Sequence, residues 1–308
     1  MGVVGIGATG IQAIQTIADQ VGEPKVVIRT PQFALPMKNP KYGPAEFEAY
    51  KARFEELRNN LPRSFTGFEY DFTKSWADLT PEQRTAWLQE VYADRSLKLW
   101  LASFAEIFID EEVSAQVSDF MREKMRASLE DLALTDILIP GRDDYGFATH
   151  RLPLETNYLE VYHRPNVIAV PVKDKPIAEI TSEGIRLADG KGHELDIIIL
   201  ATGFNAGSGA LSRIDIRGRD GQLLRDLRSR DIRTLIGLMV HGFPNMMITG
   251  APLAPLAALC NMTICLQQQA EWIAGLIATM REAAKRVVEP IDEFEQAWVD
   301  HHDAVMPR

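Results

Sequence analysis

The chain has 308 residues, enough for two domains and a sizeable core, and its 46% hydrophobic and 25% charged content is ordinary for a globular protein. A net charge of −10 with no basic cluster argues against nucleic acid and anionic membranes as main partners. Two cysteines, Cys260 and Cys265, are too few for a disulfide framework.

The chain opens on a short apolar strand, Val3–Val4, that runs into Gly5–Ile6–Gly7–Ala8–Thr9–Gly10. This is a GxGxxG pattern, and a helical stretch from Ile11 to Asp19 follows at once. A second strand is predicted over Lys25 to Ile28, which completes a βαβ start. In such a unit Gly5 permits the tight turn, Gly7 lets the backbone approach a pyrophosphate, and Gly10 lets helix and strand pack closely. The helix N-terminus offers free N–H groups and a positive dipole end to phosphates. A glycine-rich turn in an α/β protein is the plainer reading, but strand, helix and second strand all fall where a nucleotide site needs them.

The second strand ends in Arg29–Thr30, and no acid lies between Lys25 and Met37. An NAD pocket usually has a carboxylate there for the ribose 2′-OH, whereas an NADP pocket supplies a cation for the 2′-phosphate. Arg29 can fork onto phosphate oxygens and Thr30 can add a hydroxyl. NADP(H) is therefore the expected cofactor.

From Pro44 to about Leu138 the sequence is helix-rich. Phe47, Tyr50, Phe54 and Leu57 recur at helical spacing, and Trp87, Val91, Leu97, Trp100 and Phe104 do so less regularly. These side chains are expected in a core. Thr80–Pro81–Glu82–Gln83 is a helix start, with Thr as cap, Pro at the first position and Gln at the third.

Strands are predicted again over Val167–Val170, Ile177–Ile180, Gly184–Leu187 and, as a buried strand, Leu195–Leu200. The last closes on Ala201–Thr202–Gly203–Phe204. Residues 205–308 read as a different unit: strand and turn over Ile214–Gly221, a strand from Phe243–Pro244–Asn245 to Gly250, and helices over 259–283 and 290–304. On a helix, residues five apart face different directions, so Cys260 and Cys265 are expected as core thiols rather than a redox pair. The histidines show no metal spacing, and no metal site is expected. Met262 to Met280 is interrupted by Gln267–Gln268–Gln269 and Glu271, so it reads as a partly buried helix and not a membrane span. The start has no basic n-region and no long apolar core, which predicts a cytoplasmic protein.

In order, Gly5–Ile6–Gly7–Ala8–Thr9–Gly10–Ile11–Gln12, Arg29–Thr30, the helical insertion, His150–Arg151 with Asn157–Tyr158, Ala201–Thr202–Gly203–Phe204, Ile214–Gly221 and Gly242–Phe243–Pro244–Asn245–Met246 are similar to the flavin-dependent Baeyer–Villiger monooxygenases of the cyclohexanone monooxygenase type. The similarity runs along nearly the whole chain. It implies a Rossmann-like NADP-binding domain over 1–40 and 152–200, a helical insertion over 41–151, and the C-terminal part of an FAD-binding domain over 201–308. It also implies cofactor binding by Gly5 to Gln12, Arg29, Thr30, Thr202 and Gly203. The implied reaction uses NADPH, FAD and O2 to turn a ketone into an ester or lactone. A fixed cation beside the flavin would stabilise its anionic intermediates, and the matching residue is Arg151. The family commonly has Lys before that arginine, and His150 stands here. Its FAD-binding GxGxxG has no counterpart in this sequence, which implies an N-terminally truncated chain or a second chain supplying the FAD-binding half. The alternatives are a catalytically inactive NADPH-binding fragment or interaction module, and a different NADPH flavoenzyme such as an N-hydroxylating monooxygenase or a disulfide reductase.

Overall fold

The computed structural model describes residues 1–205, 209–228, 233–254 and 261–305. In chain order the elements are β1 (Gly2–Val4), α1 (Ala8–Ile17), β2 (Lys25–Ile28), β3 (Leu35–Pro36), α2 (Pro44–Ala52), α3 (Phe54–Asn60), α4 (Pro81–Ala93), α5 (Lys98–Leu101), α6 (Glu111–Ala127), α7 (Thr135–Leu138), β4 (Leu154–Glu155), β5 (Ile168–Pro171), β6 (Ile177–Thr181), β7 (Gly184–Leu187), β8 (Gly192–Glu194), β9 (Ile198–Leu200), α8 (Gly209–Ser212), α9 (Leu224–Arg228), α10 (Met262–Glu282) and α11 (Asp292–Val305). They form two compact units, residues 1–43 with 72–203 and residues 44–71 with 204–308. The expected insertion over 41–151 is thus divided, since 44–71 belongs to the second unit.

The first unit is the α/β fold that the sequence predicts. Its sheet is parallel, in the order β5-β2-β1-β9. A parallel sheet is covered on both faces, so its strands read as apolar β-branched runs rather than alternations. Val26, Val27 and Ile28 are accordingly all buried. On α1, Ile11, Ile14 and the following Ala18 recur on one side and are buried. The antiparallel meander β6-β7-β8 lies between β5 and β9 in sequence. It shares a core with the sheet through Val27, Val170, Val172, Ile185, Leu187 and Leu195. Each such side chain, fully buried, stabilises by roughly 1.5–3 kcal/mol. The strand expected over Leu195–Leu200 is shorter, and its side chains are not all buried: Ile197 and Leu200 are exposed. The cause is that β9 stands at the edge of this sheet, with β1 as its one neighbour among the described residues.

The helices of this unit hold the loops around the sheet. Thr80 and Gln83 form the expected capping box of α4. Asp110 caps α6 by accepting from the N–H groups of Glu112 and Val113. From α6, the buried Arg122 donates to the carbonyls of Pro140 and Gly141 at 2.8 and 2.9 Å. Ser118 Oγ accepts from the Phe147 N–H at 2.7 Å. Segment 140–147 is thereby fixed to the helix, just before His150 and Arg151.

The second unit departs most from expectation. Phe47, Tyr50 and Phe54 are 59%, 45% and 60% exposed, so they are not the predicted core. Their helix breaks at Arg53, and neither α2 nor α3 buries a residue. The buried apolar cluster is instead Leu224, Val240, Phe243, Ile248 and Ala251. No strand forms over 243–250; Gly242, Asn245 and Gly250 have φ of +83°, +58° and +67°, which no extended ladder accommodates. Over 214–221 the predicted strand reduces to one bridge, Arg217 to Leu223, around a turn with positive φ at Asp220 and Gly221. The predicted terminal helices are α10 and α11. Cys265 is disulfide-bonded, which corrects the expected core thiol. Cys265 stands on α10, which begins at Met262. Cys260 itself lies outside the described residues. Among the described residues no helix is long and apolar enough to cross a membrane.

Candidate functional site

The turn from β1 into α1 is built from three glycines with different reasons to be glycine. Gly5 has φ of +99°, and a Cβ there would lie 2.6 Å from the Ala201 carbonyl oxygen. A Cβ on Gly10 would lie 2.1 Å from the Gly5 carbonyl oxygen, so only glycine lets α1 sit on its own turn. Gly7 is different: a Cβ there would meet no protein atom within 4 Å. Gly7 is the N-cap of α1 and provides no side-chain cap, and the first turn carries no acid. Gly7, Ala8 and Thr9 are exposed. The orphan N–H groups of that turn and the positive helix end therefore face open space. A helix end of this kind suits an anion, and no described residue fills the space at Gly7.

The cradle opens into a cavity of about 450 Å³ at the C-terminal ends of β1, β2 and β9. Gly5, Ile6, Gly7, Arg29, Thr30, Thr202 and Gly203 line it together, although they come from three separate stretches of sequence. The parallel register brings this about: β1 pairs with β2 on one side and β9 on the other, so all three strands end at the same level. This is where open α/β sheets bind ligands. Arg29 and Thr30 are exposed at its rim, and no Asp or Glu is among its lining residues. Gly10 and Ile11 are buried in the helix behind the turn, while Ala8, Thr9 and Gln12 are exposed on it; none of these five lines the cavity. Arg151 does not line it either. It is exposed, and its backbone carbonyl accepts from Gln32 Nε2 at 3.3 Å.

Among the polar lining residues, Gln32 and His150 join the predicted Arg29, Thr30 and Thr202. Gln32 carried no local signal. His150 was visible only as a histidine standing before Arg151. The segment that carries both His150 and Arg151 is held by Asp144, which accepts from the Gly141 N–H and pairs with Lys173 at 2.8 Å. The Lys173 ammonium, with that N–H, keeps the Asp144 carboxyl below the usual carboxylate range. A carboxyl whose pKa is depressed on folding contributes stability that is fully present above its unfolded pKa, about 3.9, and is lost as pH falls through the lower folded value. Lys173→Ala should therefore lose less of its Tm than the parent on acidification below about pH 4. Identical acid limbs in the two Tm–pH curves would show that the pair is not coupled to folding. Among the described residues no group of three His, Cys, Asp or Glu side chains could hold a metal ion.

The parallel sheet, the glycine turn and the cavity at the strand ends define a Rossmann-like α/β protein. No family model matches the chain. It is 67% identical over 303 residues to acetone monooxygenase (methyl acetate-forming) of Gordonia sp. (strain TY-5), which covers 98% of this chain and 56% of that protein. It is 32% identical over 302 residues to a Baeyer–Villiger monooxygenase of Pseudooceanicola batsensis, covering 97% and 54%. The crystal structure of OTEMO in complex with FAD and NADP matches it with a TM-score of 0.94 at 34% identity, over 99% of this chain and 56% of that one. Over nearly its whole length the chain is similar to Baeyer–Villiger monooxygenases. It spans about half the length of the curated relatives it matches. Those relatives carry their further length in the same polypeptide, so the expectation of a second chain supplying an FAD-binding half finds no support. An inert fragment or interaction module is likewise not favoured by relatives that are oxygenases.

Proposed function

We propose that this chain is the NADP(H)-binding part of an NADPH- and FAD-dependent monooxygenase that inserts one oxygen of O2 into a small ketone. The balanced reaction consumes ketone, O2, NADPH and a proton, and yields ester or lactone, NADP and water. The observation that carries the reading is the 67% identity to a methyl acetate-forming acetone monooxygenase over 98% of the chain. That identity also favours a small acyclic ketone over a bulky one.

The cradle fits a dinucleotide, since Gly7 leaves room that no protein atom uses. The N–H groups from Gly7 to Gly10 would hold the pyrophosphate, with Ile6 and Gln12 flanking it and Ile11 seating the helix. Arg29 and Thr30 would hold the 2′-phosphate. Thr202 and Gly203 would close the cavity from β9. When bound, NADPH supplies a hydride. The planar guanidinium fork of Arg151 can hold an oxyanion and an amide oxygen together. Such a fixed cation is worth several kcal/mol where negative charge develops. A second glycine-rich cradle, for the ADP part of FAD, does not occur in these 308 residues.

The reading is tested on a protein of full family length, loaded with FAD, given acetone, NADPH and ¹⁸O₂. Methyl acetate carrying one labelled oxygen is expected. NADPH oxidation without ester, across a panel of small ketones, would overturn it.

A further inference from the structure

We propose that Gln32 and Tyr145 form a positioning latch, which ties the loop after β2 to the segment carrying His150 and Arg151. Occupancy of the Arg29–Thr30 end of the cavity is then felt at Arg151. The inference rests on the dinucleotide reading above.

The geometry is a short chain of contacts. Tyr145 Oη lies 2.7 Å from Gln32 Oε1 and 2.9 Å from the Pro31 carbonyl oxygen, and the Phe33 N–H points at it from 3.4 Å. At its other end, the same Gln32 amide donates to the Arg151 carbonyl. The Tyr145 ring lies against His150, with centroids 4.1 Å apart and planes tilted by 31°. Phe33 packs edge-on against both Tyr145 and Phe147, at 5.6 and 5.7 Å. Phe33 and Phe147 are fully buried, so both segments are anchored in the core behind the latch. The latch joins them at the cavity end.

The hydroxyl is the informative atom. Phenylalanine at position 145 would keep the ring contacts with Phe33 and His150. A half-buried hydroxyl costs free energy unless it is hydrogen-bonded. Here it is bonded to the loop that follows Arg29 and Thr30. Gln32 lines the cavity, so a ligand seated at Arg29 bears on its amide, and that amide holds the Arg151 backbone. Coupling carried by contiguous bonds of this kind is reciprocal: whatever orders the Arg151 segment also tightens the phosphate end.

The test is amide exchange of the full chain, with and without adenosine 2′,5′-bisphosphate. In the parent, the ligand should slow exchange about fivefold in peptides covering 29–33 and in those covering 146–152. Tyr145→Phe should keep its affinity for the ligand within about twofold and keep the slowing at 29–33. It should lose the slowing at 146–152. Gln32→Ala breaks the other side of the latch with the ring untouched, and should lose the same signal. The double variant should be no worse than either single one, as for residues acting in one chain. Slowing at 146–152 that survives in either variant would overturn the latch and leave the cofactor reading standing. Failure of the parent to bind the bisphosphate would overturn the cofactor reading, and the coupling with it.

Discussion

Gly7→Ala should fold like the parent and bind NADPH at least about tenfold more weakly, whereas Gly10→Ala should not give a stable fold. The two residues belong to one motif, yet different partners demand them. A methyl on Gly10 would stand 2.1 Å from a backbone carbonyl oxygen, which cannot move without dismantling the turn. Overpacking against side chains already costs about 1–3 kcal/mol, and backbone yields less. Gly7 has φ of −69° and ψ of −174°, which alanine adopts without strain. As an N-cap alanine is worse than glycine by about 0.5–1 kcal/mol, but restricting the unfolded chain returns about 0.4–1 kcal/mol. Stability should therefore change little. The added methyl would occupy the space where a pyrophosphate must approach the backbone. Thermal melts and NADPH titrations on the two variants decide this. A Gly7→Ala chain with parental affinity would remove the pyrophosphate from this turn.

Arg29→Ala should lower NADPH affinity roughly ten- to hundredfold and leave NADH affinity nearly unchanged. The cofactors differ only in the 2′-phosphate, and Arg29 is the cation at the rim where the adenosine end would lie. A charge-assisted bond to phosphate is about twice as strong as a neutral one, so its loss falls on one cofactor alone. Arg29→Glu should go further and reverse the preference. A carboxylate there repels the phosphate and can accept from the ribose 2′-OH. Paired titrations with NADPH and NADH give the selectivity ratio directly. The difference should shrink as salt is raised, because the site is exposed and the pair is screened. Equal losses for both cofactors would mean that Arg29 acts on the fold and not on the phosphate.

These positions were legible because their signals are local. Strand, glycine turn and helix follow within the first twenty residues, and Gly5 and Gly10 each meet a backbone requirement. The partners of the latch were not legible. Gln32 and Tyr145 stand 113 positions apart, and nothing near either residue announces the other. Phe47, Tyr50 and Phe54 show the opposite failure: helical periodicity identifies a common face and says nothing of what covers it. The run from Phe243 to Gly250 misled for a third reason. Its apolar residues suit a strand, but positive φ at Asn245 and at the flanking glycines folds it into turns, with Phe243 and Ile248 still buried. Arg151 was reached through family resemblance alone, since a lone arginine in a loop carries no chemistry that its neighbours reveal.

The position of β9 at the rim of the sheet bears on how this chain behaves at the bench. One side of that strand has no neighbouring strand among the described residues, and its last residue, Leu200, is 63% exposed. An open rim of N–H and C=O groups is a template for any other extended chain. Concentrating the polypeptide should therefore drive self-association through added strands, read as light scattering that grows with protein concentration and a rise in amyloid-dye fluorescence. Lysine at Leu200 should suppress both, for the same reason that natural sheets carry charge on unpaired rims.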